Sequence, residues 1–164
     1  MLSVVVIDDE PRARETIIDI LALSHIKLKI AGEADSVETG FQAIIRHQPD
    51  LVLLDIHLKD GTGFDLLKKF DKISFRLIFI TAHEEHAVKA FKFSALDYIL
   101  KPITAGELLQ AIDKARDLKH KEETELKLSA FLSNIEKIRK IVLKTAESIH
   151  IVHVKNIIRC EADV

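Results

Sequence analysis

The sequence predicts an α/β fold built on a doubly wound, five-stranded parallel sheet, and three observations predict it. Five short apolar runs recur at Ser3 to Ile7, Leu28 to Ala31, Leu51 to Leu54, Leu77 to Ile80 and Tyr98 to Leu100, most of them continuous rather than alternating. Continuous runs of this length suit strands covered by helices on both faces. Segments with helical spacing separate them, so β and α alternate five times, with right-handed crossovers. The third observation is compositional. The 5 Gly and 3 Pro all lie at or before Gly106, so the turns of the repeated units use them and the remainder of the chain has a different character.

Taken in order, the first helix follows Pro11, which a first turn tolerates, with Ala13, Ile17, Ile20 and Leu21 on one face. Val37, Phe41, Ile44 and Ile45 mark the second, which Pro49 stops; Leu66, Leu67 and Phe70 mark the third. Ala87, Val88, Phe91 and Leu96 mark a fourth. The fifth opens on Thr104 and Glu107, a capping-box pair, and continues through Leu108, Ile112 and Ala115. From Asp113 to Lys127 the chain carries five acidic and five basic side chains, with Asp117/Lys121 and Glu123/Lys127 at i,i+4. That spacing supports a long solvated helix, a dimerising coiled coil being the alternative. Ile141 to Leu143 and Ile149 to Val154 are β-like, so the tail reads as the opening strands of a second, β-rich unit.

Apolar residues make up 48% and charged residues 30%, enough for a real core and against disorder. A net charge of −2 shows no basic excess directed at nucleic acid in this stretch. The lone Cys160 cannot form an internal disulfide, no apolar run approaches membrane-spanning length, and no signal-peptide pattern opens the chain, so a reducing, cytoplasmic location is expected.

In an open parallel sheet, ligands bind beyond the carboxyl ends of the strands, where the strand order reverses. Here those ends carry Asp8, Asp9 and Glu10 after strand one, Asp55 after strand three, Thr81 after strand four and Lys101-Pro102 after strand five. Each alone is an ordinary cap, turn former or solvated group. Together they form a rim of carboxylates that needs a counter-charge, and a hard divalent cation with an adjacent lysine supplies it.

This set resembles the receiver domain of two-component response regulators, whose fold is flavodoxin-like. The resemblance covers residues 1–120 and implies that Asp55 is the phosphoacceptor. It further implies Mg²⁺ held by Asp9, Asp55 and the backbone carbonyl of His57, with Asp8 acting partly through water. Lys101 would pair with phosphoryl oxygens, the Lys101–Pro102 bond would be cis, and Thr81 and Tyr98 would form the switch. The implied partners are a sensor histidine kinase and a second copy of the chain, docked through the fourth helix, fifth strand and fifth helix. The DDEPRARE segment (Asp8 to Glu15) and the tail from Lys140 to Val164 resemble regulators of the LytTR type. The expected organisation is thus a receiver (1–120), a helical linker (121–139) and the first part of a LytTR DNA-binding domain (140–164), the chain being cut from a larger transcription regulator. The resemblance implies that the domain accepts a phosphoryl group and is not otherwise an enzyme.

Other signals are weaker. His150 and His153 lie three apart in a strand and so face opposite ways. His83 and His86 share a helical face, but no third ligand is visible nearby in the sequence, which favours a solvated pair over a zinc site. His83, two residues after Thr81, occupies a position that in the resembling family influences loss of the acyl phosphate. Gly61 and Gly63 lack a phosphate-loop ending, and Cys160 reads as an inert thiol. A haloacid dehalogenase-like phosphatase would need an acid two residues after Asp55, where His57 stands. A stand-alone relay receiver would need no β-patterned tail.

Overall fold

The computed structural model describes residues 1–87, 90, 92–137, 140–144 and 149–153, with side chains as far as residue 130 apart from 88, 89 and 91. It divides into two compact units, Met1–Lys119 and His120–Val164. In the first unit the strands β1 (Leu2–Ile7), β2 (Leu28–Ala34), β3 (Leu51–Leu54), β4 (Arg76–Thr81) and β5 (Asp97–Leu100) form one sheet in the order β2-β1-β3-β4-β5, every pairing parallel. Helices α1 (Pro11–Ala22), α2 (Val37–His47), α3 (Gly63–Lys68) and α4 (Ala105–Lys137) account for the helical segments other than the one read at 87–96. The order reverses beside β1, whose two neighbours are β2 and β3, so the crevice lies where the sequence placed it.

The continuous apolar runs are explained by burial on both faces. Val5 and Ile7 point into a cluster with Ile44 of α2 and Phe64 and Leu66 of α3, while Leu2, Val4 and Val6 point into another with Ile17 and Leu21 of α1 and Leu108 and Ile112 of α4. At about 1.5–3 kcal/mol per large apolar side chain removed from water, these two layers are the main force fixing the strand ends in space. The edge strand β5 is less enclosed: only Ile99 is buried, and Leu100 is 40% exposed.

Local signals set the helix boundaries. Ser36 and Thr39 form a capping box at α2, and Gln48 at φ 42° ends that helix just before Pro49. Thr62 and Asp65 form a second box at α3. At α4 the expected pair is formed, with the Glu107 N–H and carboxylate both bonded to the Thr104 hydroxyl.

Three face assignments from the sequence need correction. Ile45 is 54% exposed, because the face of α2 toward the sheet is narrower than its apolar residues suggested. Phe70 lies beyond the end of α3, yet still packs on the core, 5.1 Å from Phe41 and 5.6 Å from Phe75 between ring centroids. Leu96 is not helical: Ser94 turns the backbone at φ 54°, and the Leu96 N–H bonds to the Leu77 carbonyl at the start of β5. Of the rest of the fourth helix, Ala90 is buried and Val88 and Phe91 lie outside the described residues.

In the second unit the remainder of α4 is followed by β6 (Lys140–Lys144) and β7 (Ile149–His153), an antiparallel pair matching the β-like reading. Cys160 lies outside the described residues, as do the side chains of His150 and His153.

Candidate functional site

Backbone hydrogen bonding sets the crevice. The Asp55 N–H donates to the Ile7 carbonyl, which keeps the end of β3 alongside β1 for one residue past the strand, and the Lys101 N–H donates to the Thr81 carbonyl at the end of β4. Beneath Asp55, Gly63 makes a contact no other residue can make. A Cβ there would stand 2.4 Å from the Asp55 carbonyl oxygen and 3.0 Å from the Leu54 side chain. The Gly63 N–H bonds to the Ile56 carbonyl, so the turn before α3 closes directly against the backbone that carries Asp55.

Asp55 is 4% exposed and Asp8 1%. Asp55 Oδ1 accepts from the N–H groups of Ile56 and His57, at 2.5 and 3.4 Å, and Oδ2 accepts from Lys101 Nζ at 2.7 Å. The same ammonium lies 3.0 Å from Asp8 Oδ2 and 3.0 Å from Glu10 Oε1. Burial raises the Asp8 pKa and the charge of Asp55 adds to this, against the Glu10 N–H and Lys101, which favour the ionised form. For Lys101, burial opposes the charge, but Asp55, Asp8 and Glu10 outweigh it and hold the ammonium protonated well above its usual range.

One cation therefore faces several carboxylates. Donor oxygens of Asp8, Asp9, Glu10 and Asp55 all lie within 4.8 Å of one another, a group of hard ligands with a net negative charge. This composition fits Mg²⁺, which takes oxygen donors and few protein ligands. Glu10 is the member that sequence reasoning placed on the rim without giving it a role; its proximity to Lys101 Nζ appears only on folding.

Thr81 adds a different feature. It is 0% exposed, and its hydroxyl has no hydrogen-bond partner among the described residues. An unmet buried hydroxyl carries a cost of about 1–3 kcal/mol, and this one stands at the end of β4, whose Thr81 carbonyl accepts from the Lys101 N–H. Tyr98 is half-buried against Phe79, 6.0 Å between centroids, and its hydroxyl donates to the His83 carbonyl. Burial raises its pKa first, the nearby carboxylates second. The Lys101–Pro102 bond is cis, as the resemblance implied.

The sequence profile of the response regulator receiver domain matches residues 4–113. The chain belongs to the response regulator receiver domain family. The sensory transduction protein LytT of Enterococcus faecalis is 41% identical over 116 residues, covering 70% of this chain and 48% of that protein. The transcriptional regulatory protein LytR of Staphylococcus aureus is 32% identical over 164 residues, 96% of this chain and 64% of its own length. This chain thus spans less than two-thirds of either relative. The response regulatory domain of MrkE from Klebsiella pneumoniae superposes with a TM-score of 0.67 at 26% identity, over 73% of this chain and 99% of that one. The doubly wound sheet is therefore the flavodoxin-like fold of receivers, and the LytR similarity, over 96% of this chain, extends into the tail. No helix among the described residues is long and apolar enough to cross a membrane.

The receiver also assembles a group that the sequence did not reveal. The His57 ring stands 4.0 Å from that of His83 and 6.4 Å from that of His86, and His83 and His86 are 5.9 Å apart. Sequence spacing showed only the last two. His57 reaches them because the loop after Asp55 and the loop after Thr81 meet over the rim.

Proposed function

We propose that this receiver accepts a phosphoryl group on Asp55 from a phosphohistidine of a sensor histidine kinase. A carboxylate oxygen of Asp55 attacks phosphorus, the P–N bond breaks, and the histidine nitrogen leaves with its electron pair. Support comes above all from the pairing of buried Asp55 with Lys101 at 2.7 Å, together with a Thr81 hydroxyl that has no partner among the described residues. A carboxylate is a weak nucleophile, but phosphoryl transfer depends mainly on positioning and charge neutralisation. The Ile56 and His57 N–H groups fix the carboxylate, and Lys101, held protonated, meets the transferring oxygens.

Asp9, Asp55 and the His57 carbonyl would hold Mg²⁺, with Asp8 partly through water; when bound, the ion neutralises phosphoryl charge. The residues' own contribution is to orient the nucleophile and to keep Lys101 charged. Once Asp55 is phosphorylated, Thr81 donates to the new anion and satisfies its orphaned hydroxyl. Tyr98, linked to the loop after Thr81 through the His83 carbonyl, passes that shift to β5 and its flanking helices. The outcome is dimerisation through the segment read as the fourth helix, β5 and α4.

In this reading residues 1–120 are the receiver, 121–139 a helical linker, and 140–164, which contain the β6–β7 hairpin, the start of a LytTR-type DNA-binding domain. The whole protein regulates transcription in the cytoplasm. The domain serves as phosphoacceptor, catalysing only its own phosphorylation and dephosphorylation. Incubation with Mg²⁺ and a small phosphoryl donor should attach one acid-labile phosphate per chain, lost in Asp55→Ala. Full labelling of that variant overturns the assignment.

A further inference from the structure

The rim of the receiver carries two chemically different ligand groups. The acidic group offers hard oxygens, whereas His57, His83 and His86 offer three imidazoles, borderline-soft donors of the kind that select Zn²⁺ or Cu²⁺ over Mg²⁺. We propose that His57, His83 and His86, with Glu85, form a binding site for a transition-metal ion of the Zn²⁺ class, separate from the acidic pocket.

Three observations carry it. First, one short segment supplies two of the ligands: His83, in extended backbone, immediately precedes the 3-10 turn Glu84–His86, and the His83 and His86 rings lie 5.9 Å apart. Second, Glu85 lies between them, its Oε1 3.2 Å from His83 Nδ1 and 4.0 Å from His86 Nε2. Tetrahedral ligands bonded at about 2.0–2.1 Å stand about 3.4 Å from one another, so the His83–Glu85 separation already suits a shared ion and the second lies slightly above it. Third, with those bond lengths, imidazole centroids around one tetrahedral ion fall about 5 Å apart, and the observed 4.0, 5.9 and 6.4 Å bracket that figure.

As they stand, the rings do not converge: among the described residues, the donor group whose atoms all lie within 4.8 Å is the acidic one. His57 stacks on His83 and must swing its ring nitrogen toward Glu85. The space for that exists, since His57 and Glu85 are exposed and the side chains of His83 and His86 are 37% and 34% exposed. As it stands, the cluster is held by the His83–Glu85 hydrogen bond at 3.2 Å and by the edge contact of His86 with Phe64, 5.9 Å between centroids. An ion would tie the loop after Asp55 to the loop after Thr81, bridging the two segments that frame the phosphoacceptor.

The test is Zn²⁺ titration of the full chain by calorimetry in millimolar Mg²⁺, which occupies the acidic pocket. One Zn²⁺ per chain should bind at micromolar concentration. His83→Ala and His86→Ala should each weaken it by at least about tenfold. Asp9→Asn, His25→Ala, His153→Ala and Cys160→Ser should leave it unchanged. In the unaltered protein, where folding of variants is no concern, Zn²⁺ should shift the imidazole NMR signals of three of the 8 histidines, His57, His83 and His86. Unchanged affinity in the His83 and His86 variants, loss in Asp9→Asn or Cys160→Ser, shifts at other histidines, or no micromolar binding would each overturn the site. The binding readout stands whether or not Asp55 is phosphorylated.

Discussion

Thr81→Val should raise the stability of the unmodified receiver and remove its response to phosphorylation. In the unmodified state the Thr81 hydroxyl is fully buried and, among the described residues, unpartnered. Such a group costs about 1–3 kcal/mol, and a methyl group in its place adds about 0.8 kcal/mol of apolar transfer, so allowing for imperfect fit the variant should gain about 1–2 kcal/mol. The sign reverses when an anion sits on Asp55. A hydrogen bond to a charged group contributes about 1.5–3 kcal/mol, available to Thr81 and not to valine. Urea unfolding in Mg²⁺, with and without beryllofluoride as a phosphoryl mimic, measures both states. The single tyrosine, Tyr98, packed on Phe79, supplies a near-UV circular dichroism signal confined to this unit. The reasoning is refuted if the unmodified variant is less stable than the parent, or if the mimic stabilises both proteins equally.

Three further outcomes follow from the same geometry. Lys101→Met leaves Asp8 and Asp55 buried without their cation and should cost about 2 kcal/mol in chelator, below the full penalty of a broken buried pair because the rim is open to water; added Mg²⁺ should recover more stability in the variant than in the parent, and equal stability in chelator would contradict this. Gly63→Ala forces a methyl group against the Asp55 carbonyl and Leu54, so it should destabilise by about 1–3 kcal/mol and slow labelling; a change below about 0.5 kcal/mol with unchanged labelling would be inconsistent with that contact. The Asp65 carboxylate, held by Lys68 and Thr62, should titrate at about 2 by NMR. Because its folded value is depressed from 3.8, its modest support of the α3 cap is present above 3.8 and lost as pH falls through about 2; a midpoint near 3.8 would count against the cap.

Much of the receiver was legible because its signals are local. Continuous runs such as Leu51–Leu54 mark strands buried on both faces, Thr104 and Glu107 mark a helix start, and a polar residue after each strand marks the rim. What stayed hidden depends on approach between distant segments. Nothing around Gly63 announces that its hydrogen faces the Asp55 carbonyl, and Glu10 gains significance only when Lys101, 91 residues away, reaches it. His57 looked important for its backbone alone, until the loops after β3 and β4 brought its ring against His83. Leu96 and Phe70 fitted helical spacing but lie outside the helices, because Ser94 and the end of α3 redirect the chain while the core still takes the apolar side chains. Ile45 shows the reverse error, an apolar residue at a permitted spacing that the sheet does not need.

The central claim is that Asp55 carries the phosphoryl group, and chemical trapping tests it most directly. Treating the phosphorylated chain with borohydride reduces an aspartyl phosphate to homoserine, which peptide mass spectrometry locates. Homoserine is expected at position 55 alone, formed only when Mg²⁺ is present. Homoserine at position 8 or 9, or phosphate that survives acid on a hydroxyl residue, would contradict it.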